Sequence, residues 1–198
     1  MPDHWLISDM HLRHQNIYRF VDKCGNRIRP QFLDAYEGDA YMIEAWNQTV
    51  KPEDHIWNLG DFCMGSAQSW IDVGQRLQGH KRIIPGNHDK VQIDVYKKAG
   101  FQKLCGANEL QIAGLRLLCT HYPVHESCLF KRDASIHGHT HQNPDNPTII
   151  KPDGSIRCWL NVSVERISYR PIHIEDVAQK IRMKIEEAKN ATGNTTTI

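Results

Sequence analysis

No stretch of this 198-residue chain approaches the roughly 18 apolar residues that a membrane-spanning helix needs, so no transmembrane helix is expected. Strong charge of either sign is also missing. The 24 Lys and Arg against 23 Asp and Glu leave +1, and no global field draws the chain toward nucleic acid or a lipid surface. The six cysteines, Cys24, Cys63, Cys105, Cys119, Cys128 and Cys158, form no CxxC pair and lack the dense spacing of a disulfide framework. Cys105, Cys119 and Cys158 sit in apolar runs and read as small core residues. The amino terminus has no basic-then-apolar signal pattern. Together these features give the expectation of a reducing cytoplasm. Internal repeats and linkers are absent, and the length suits a single domain over residues 1–189 with a patternless, mobile tail over 190–198.

What the chain does have is five short apolar runs, each ending on metal-binding side chains. His4 to Ser8 precedes Asp9 and His11; His55 to Leu59 precedes Gly60-Asp61; Lys81 to Pro85 precedes Gly86-Asn87-His88-Asp89. Leu115 to Thr120 precedes His121, and Ala134 to His137 precedes Gly138-His139-Thr140-His141. A short apolar run bounded by Gly, Pro, Asn or Asp is the pattern of a buried strand. In sheets built from β-α units the loops at the carboxyl ends of strands gather at one edge, so residues far apart in sequence converge there. Gly60, Gly86 and Gly138 suit places where the chain turns sharply and the backbone closely approaches a ligand. Asp, Asn and imidazole groups without thiolate suit divalent ions such as Mn, Fe, Zn or Ni. The convergent groups are too many for one zinc ion and fit two shared centres. Turn and cap chemistry accounts for single Asp and Asn residues at strand ends, but it does not ask for histidines at the same ends.

The ordered series Asp9-x-His11, Gly60-Asp61, Gly86-Asn87-His88-Asp89, His121 and Gly138-His139-x-His141 resembles the calcineurin-like metallophosphoesterase superfamily. Shorter features, Ser8-Asp9-Met10-His11 leading to His14, then Trp46-Asn47, His121-Tyr122-Pro123 and Asn161-Val162-Ser163-Val164-Glu165, look most like its small stand-alone bacterial and phage members. The resemblance implies an α/β (α+β) fold, a four-layer α-β-β-α sandwich with a dinuclear metal site at the strand ends. It implies that Asp9, His11 and His141 bind one metal, that Asn87, His121 and His139 bind the second, and that Asp61 bridges them by offering an oxygen to each. It further implies hydrolysis of a phosphoester by a metal-bridging hydroxide, with His88 as general acid and Asp89 orienting its ring. Mn²⁺ is the ion the resemblance favours, with Fe, Ni and Zn open.

The substrate pocket is less legible. His14 and His125 follow metal ligands closely and either line the pocket or lie on an ordinary surface; both readings stand. Arg13, Arg19, Lys23, Arg27 and Arg29 crowd the segment after the first motif, and Lys131 and Arg132 follow His121. They either contact an anionic substrate or belong to solvated loops. His4, His55, His80 and His173 read as surface or edge residues, and His137 as a strand residue outside the ligand set. A diester or nucleotide-type substrate is slightly favoured, with phosphomonoesters, phosphoproteins included, as the alternative. Nucleic acid is a possible but unfavoured substrate, no membrane partner is expected, and the oligomeric state is not legible. A purely binding role is disfavoured because His88 and every ligand of the motif are present.

Further elements follow from periodicity. Helices are expected from near Asp39, with Ile43, Trp46 and Val50 inward, from Ala67 to Leu77, and from near Ile174 with Val177, Ile181 and Ile185 on one face. Hairpins are expected about Gly114 and about Pro152-Asp153-Gly154.

Overall fold

The computed structural model describes residues 1–193. In chain order the regular elements are β1 (His4–Ile7), α1 (Ala35–Thr49), β2 (His55–Asn58), α2 (Ala67–Gln75), β3 (His80–Ile83), α3 (Ile93–Lys98) and β4 (Phe101–Leu104). Then come β5 (Asn108–Ile112), β6 (Leu115–Cys119), β7 (Ala134–His137), β8 (Ile149–Ile150), β9 (Ile156–Asn161), β10 (Ile172–His173) and α4 (Ile174–Gly193). All five apolar runs form strands, namely β1, β2, β3, β6 and β7.

Two five-stranded sheets are present, ordered β10-β1-β2-β3-β4 and β5-β6-β7-β9-β8. In the first, β1 to β4 are parallel and β10 closes the edge antiparallel; in the second, β6, β7 and β9 are parallel and the outer strands antiparallel. Alternation of side chains across β1, β2 and β3 divides the apolar residues between two cores. Ile7, Ile56 and Ile83 face Met42, Trp46, Trp70, Val73 and Tyr96 from α1, α2 and α3. Leu6, Trp57 and Ile84 face Leu117, Ile136, Cys158 and Leu160 of the second sheet, a core that Val177 and Ile181 of α4 also enter. The mixed α/β architecture of two packed sheets with helices is thus as expected. All six cysteines are unpaired, with Cys119 and Cys158 buried and Cys105 partly so. Among the described residues no helix is long and apolar enough to cross a membrane.

Local chemistry explains where the boundaries differ from periodicity. Helix α1 starts four residues before Asp39 because Asp34 caps it, accepting from the Tyr36 and Glu37 amides, while Glu37 reaches back to the Leu33 amide. Val50 lies just beyond its end as the C-cap. Ser66 caps α2, and a turn with Ala113 at φ +50° and Gly114 at +83° joins β5 to β6, as the primed hairpin turn requires. Instead of a patternless tail from residue 190, α4 continues to Gly193; residues 194–198 of that expected tail lie outside the described residues.

At the edge opposite the ligand-bearing loops, His4, His55 and His80 stand side by side across β1, β2 and β3, with ring centroids 5.0 and 5.1 Å apart. They belong to the surface rim, as anticipated, but as a row of tilted rings in contact. Arg82 donates to His55 Nδ1 at 3.2 Å. Burial, and then the charge of Arg82, lower the pKa of both His4 and His55 below the ordinary 6.5. The unfolded chain therefore binds more protons than the folded one once pH falls below about 6.5, and stability rises with pH through that window. Chelator-stripped protein should show a melting temperature that drops between pH 7 and pH 5. The pair of changes His4→Gln and His55→Gln should flatten that slope; an unaltered slope would show that the row carries no such penalty.

Candidate metal centre

The two sheets meet where their ligand loops leave them. Past the end of β1, Ser8 donates its amide to Val162 O and accepts from the Val164 amide, both at 3.0 Å, linking the first sheet to the segment after β9. Parallel pairing also runs on beyond β1 and β2: the Asp9, His11 and Leu12 amides donate to Gly60, Asp61 and Phe62 carbonyls at 2.9 to 3.0 Å. This pairing, not a flexible loop, sets the distance between Asp9 and Asp61.

Two groups of possible ligands result, Asp9 with His11 and His141, and Asp61 with His121 and His139; within each group the ligand atoms lie within 4.8 Å of one another. Asn87 joins the second, its Oδ1 lying 3.0 Å from His121 Nε2. Asp9, His11, Asp61 and His121 are buried, whereas His139 and His141 are partly exposed. The backbone of five of these residues is left-handed: φ is +57° at Asp9, +48° at His11, +51° at Asp61, +67° at His139 and +49° at His141. For residues with a Cβ each such conformation costs about 1–2 kcal/mol, and strain of this kind gathers where function over-determines the backbone.

Each carboxylate is held on one oxygen and free on the other. Asp9 Oδ2 accepts from the His139 amide at 2.8 Å and from Ser163 Oγ at 2.9 Å. Its Oδ1 is buried without a partner and lies 3.9 Å from His11 Nε2 and 4.0 Å from His141 Nε2. Asp61 Oδ1 accepts from the His88 amide at 2.8 Å, while Oδ2 lies 3.5 Å from both His11 Nε2 and His121 Nε2. One oxygen therefore faces both groups, where one oxygen for each ion was expected, because the His88 amide has claimed the other.

The imidazoles are set in the same way. His121 Nδ1 donates to Leu59 O at 2.8 Å and His141 Nδ1 to Glu165 Oε1 at 3.2 Å, leaving each Nε2 aimed inward. Burial alone lowers His141, but the hydrogen bond and charge of Glu165 outweigh it and raise its pKa. Burial depresses His11, and then the charges of His141 and Arg29 add to the effect; both of its ring nitrogens are buried without partners. Orphaned Asp9 Oδ1 and His11 nitrogens, in an oxygen-and-imidazole donor set, are the arrangement that divalent cations satisfy. The glycines make room for the ligands themselves: a Cβ on Gly138 would overlap Asp9 Oδ2 and Ser8 Oγ, and one on Gly86 would overlap Asp61 Oδ1.

A comparison with known proteins agrees with this geometry. Residues 3–155 match the family model described as the calcineurin-like phosphoesterase superfamily domain. The chain belongs to the calcineurin-like phosphoesterase superfamily. Its relatives include an uncharacterised protein of Methanocaldococcus jannaschii, 29% identical over 180 residues that cover 89% of this chain and 90% of that one. The Gene 66 protein of Mycobacterium phage L5 is 29% identical over 170 residues, covering 71% of this chain and 78% of the phage protein. Among solved structures, a protein of unknown function from Aquifex aeolicus superimposes with a TM-score of 0.68 at 22% identity, covering 90% of this chain and 99% of that one, which shows a shared fold. The superfamily is one of phosphoesterases that typically bind divalent metals, and this chain carries two candidate ligand groups.

Other expected site residues are placed differently. The His88 ring is exposed, 5.2 Å from the His11 ring and 6.4 Å from that of His14, which in turn lies 5.5 Å from His11. His14 is thus brought to the centre. His125 instead caps the 3-10 turn Glu126–Cys128, its Nδ1 meeting the Ser127 amide and hydroxyl. The Arg13 amide donates to Asp39, and its side chain lines a cavity of about 250 Å³ with Tyr36, Asp39 and Arg76.

Asp89 does not orient the His88 ring. Its carboxylate is buried and accepts from the Asp61, Phe62 and Gly86 amides at 2.8 to 2.9 Å, clamping together the two loops that carry Asp61 and Asn87. Of the basic residues after the first motif, Arg29 is fully buried and Arg27 is spent on the Tyr18 and Phe32 carbonyls, so neither is free for substrate. Arg132 pairs with Glu109. The segment Asn161 to Glu165 supports the first group through Ser163, Glu165 and Asn161, whose side-chain Nδ2 donates to His141 O at 2.7 Å. It follows β9, and in the sequence it stands out as a family-like feature without an assigned part in the site.

Replacing Asp89 by Asn turns one accepting oxygen into a donor facing a buried amide. A loss of about 1–3 kcal/mol is expected for a group left unsatisfied in this way, measurable by denaturant unfolding. Full retention of stability would contradict the clamp.

Proposed function

We propose that this member of the superfamily is a dinuclear metal-dependent phosphodiesterase. The observation that carries the reading is the single Asp61 oxygen facing ligand nitrogens of both groups at 3.5 Å. Asp9, His11 and His141 would hold one ion, Asn87, His121 and His139 the other, and Asp61 Oδ2 both. Two divalent ions so placed supply Lewis acidity to the phosphoryl oxygens and bring the pKa of bound water toward about 7. Mn²⁺ suits the donors, with Fe, Ni and Zn also compatible.

His88 takes the part of general acid. Its backbone is pinned by Asp61, while its ring stands at the solvent side of the first group beside His11. From there it delivers a proton to the departing alkoxide oxygen. His14, half-buried beside it, lines the leaving-group side of the pocket.

A diester substrate is supported by the two exposed aromatic rings at the centre's flanks. Phe20, 48% exposed, meets His14 edge-on at 5.8 Å, and Tyr122, 49% exposed, meets His139 at 4.6 Å. Rings on both sides suit a phosphate with a planar group on each side, as in nucleotide-type diesters.

Mn²⁺-loaded protein should hydrolyse bis-p-nitrophenyl phosphate faster than p-nitrophenyl phosphate, and Asp61→Asn should abolish turnover of both. A strong monoester preference would move the enzyme to the phosphatases. His88→Gln should retain its metals yet lose roughly 10²–10⁴-fold in kcat on esters of poor leaving groups, with a far smaller loss on nitrophenyl esters. Equal losses on the two classes would remove the general-acid role.

A further inference from the structure

Beneath the first ligand group lies a buried ion pair that a need for stability does not explain. The Arg29 side chain is 0% exposed and that of Glu165 2% exposed, and they meet at 2.9 Å between Nε and Oε1. Removing two such charges from water is often no better than packing apolar groups of the same volume. The arrangement of the remaining donors indicates what the pair does instead.

Arg29 Nη2 donates to the Asp9 carbonyl at 2.7 Å and Nη1 to the Met10 carbonyl at 2.9 Å. The guanidinium thus holds the backbone of a ligand whose φ is +57°. The same Glu165 oxygen that receives Arg29 also accepts from His141 Nδ1 at 3.2 Å. Tyr18 and Tyr169 enclose the guanidinium, their ring centroids 5.5 and 5.9 Å from its central carbon. Two of the three residues of the first group, Asp9 and His141, are therefore fixed through one charged pair. In the second group His121 is set differently, by the neutral carbonyl of Leu59.

We propose that Arg29 and Glu165 are positioning residues dedicated to one metal position, setting the affinity of the Asp9, His11 and His141 group without setting that of the Asp61, Asn87, His121 and His139 group. The inference rests on the dinuclear reading above. Chemically, the carboxylate keeps the proton on His141 Nδ1 and the lone pair on Nε2, toward Asp9 Oδ1. Arg29 holds that carboxylate in place through Nε, and its planar fork reaches the two carbonyls as a single ammonium could not.

The test is Mn²⁺ binding to the full chain, followed by equilibrium dialysis with metal counting and by electron paramagnetic resonance, with a melting curve for each protein. Glu165→Gln leaves Arg29 buried and unpaired and can cost folding, so the double change Arg29→Met with Glu165→Gln, which removes both charges, is the principal variant. Wild type should bind two ions with the spectrum of a coupled pair. The double variant should hold one ion at unchanged affinity and the other about 10–100-fold more weakly, with the spectrum of an isolated ion at low loading. Two ions bound at wild-type affinity, or equal weakening of both, would overturn the assignment. A wild type that takes up no ion would overturn the dinuclear reading and this inference with it.

Discussion

The two oxygens of Asp61 have separate partners, and the rest of the centre is arranged around that division. Oδ1 is tied to the His88 amide, and Oδ2 is left between His11 and His121. For the carboxylate to stand there, Asp61 must be left-handed, the Gly86 backbone must lie against it, and the loops of β2 and β3 must stay together. Asp89 achieves the last of these by accepting three backbone amides from both loops. Burial pushes the Asp89 carboxyl up to about 6, even though those amides favour its ionised form. A buried carboxylate spent wholly on main-chain donors indicates how much the fold commits to the spacing of its ligand loops.

Packing and polarity divide the labour around this point. Two apolar cores, one between the sheets and one under α1, α2 and α3, hold the strands rigid up to their last residue. Beyond that residue the chain is polar, strained and hydrogen-bonded to itself. Ser8, Asn161, Ser163, Arg29 and Glu165 supply these bonds beneath the first group, and Leu59 O and Asp89 beneath the second. The ligands sit on scaffold ends and not on mobile loop tips, which suits a site that presents fixed donors to a cation.

The sequence was most informative where chemistry and periodicity coincide. Each of the five apolar runs ends on residues that are both poor strand formers and good ligands, so strand ends and site were legible together, and all seven candidate ligands come together at one edge. Segments with little buried surface were not legible. In β4 only Phe101 is buried, and in the six-residue α3 only Val95 and Tyr96 are, so neither shows a period. Arg29 read as either a substrate contact or a solvated loop charge because its partners lie as far as 136 residues away. The role the resemblance gave Asp89 is not the one seen, because the turn directs its side chain back into the loops. The start of α1 was written in Asp34 and Glu37, a capping signal that apolar spacing overlooks.

The most direct measurement is anomalous diffraction at the manganese edge from crystals grown with Mn²⁺. The account predicts two peaks on either side of Asp61 Oδ2, about 3.5–4 Å apart, one bounded by Asp9, His11 and His141 and the other by Asn87, His121 and His139. A single peak, or two that do not share Asp61, would contradict it.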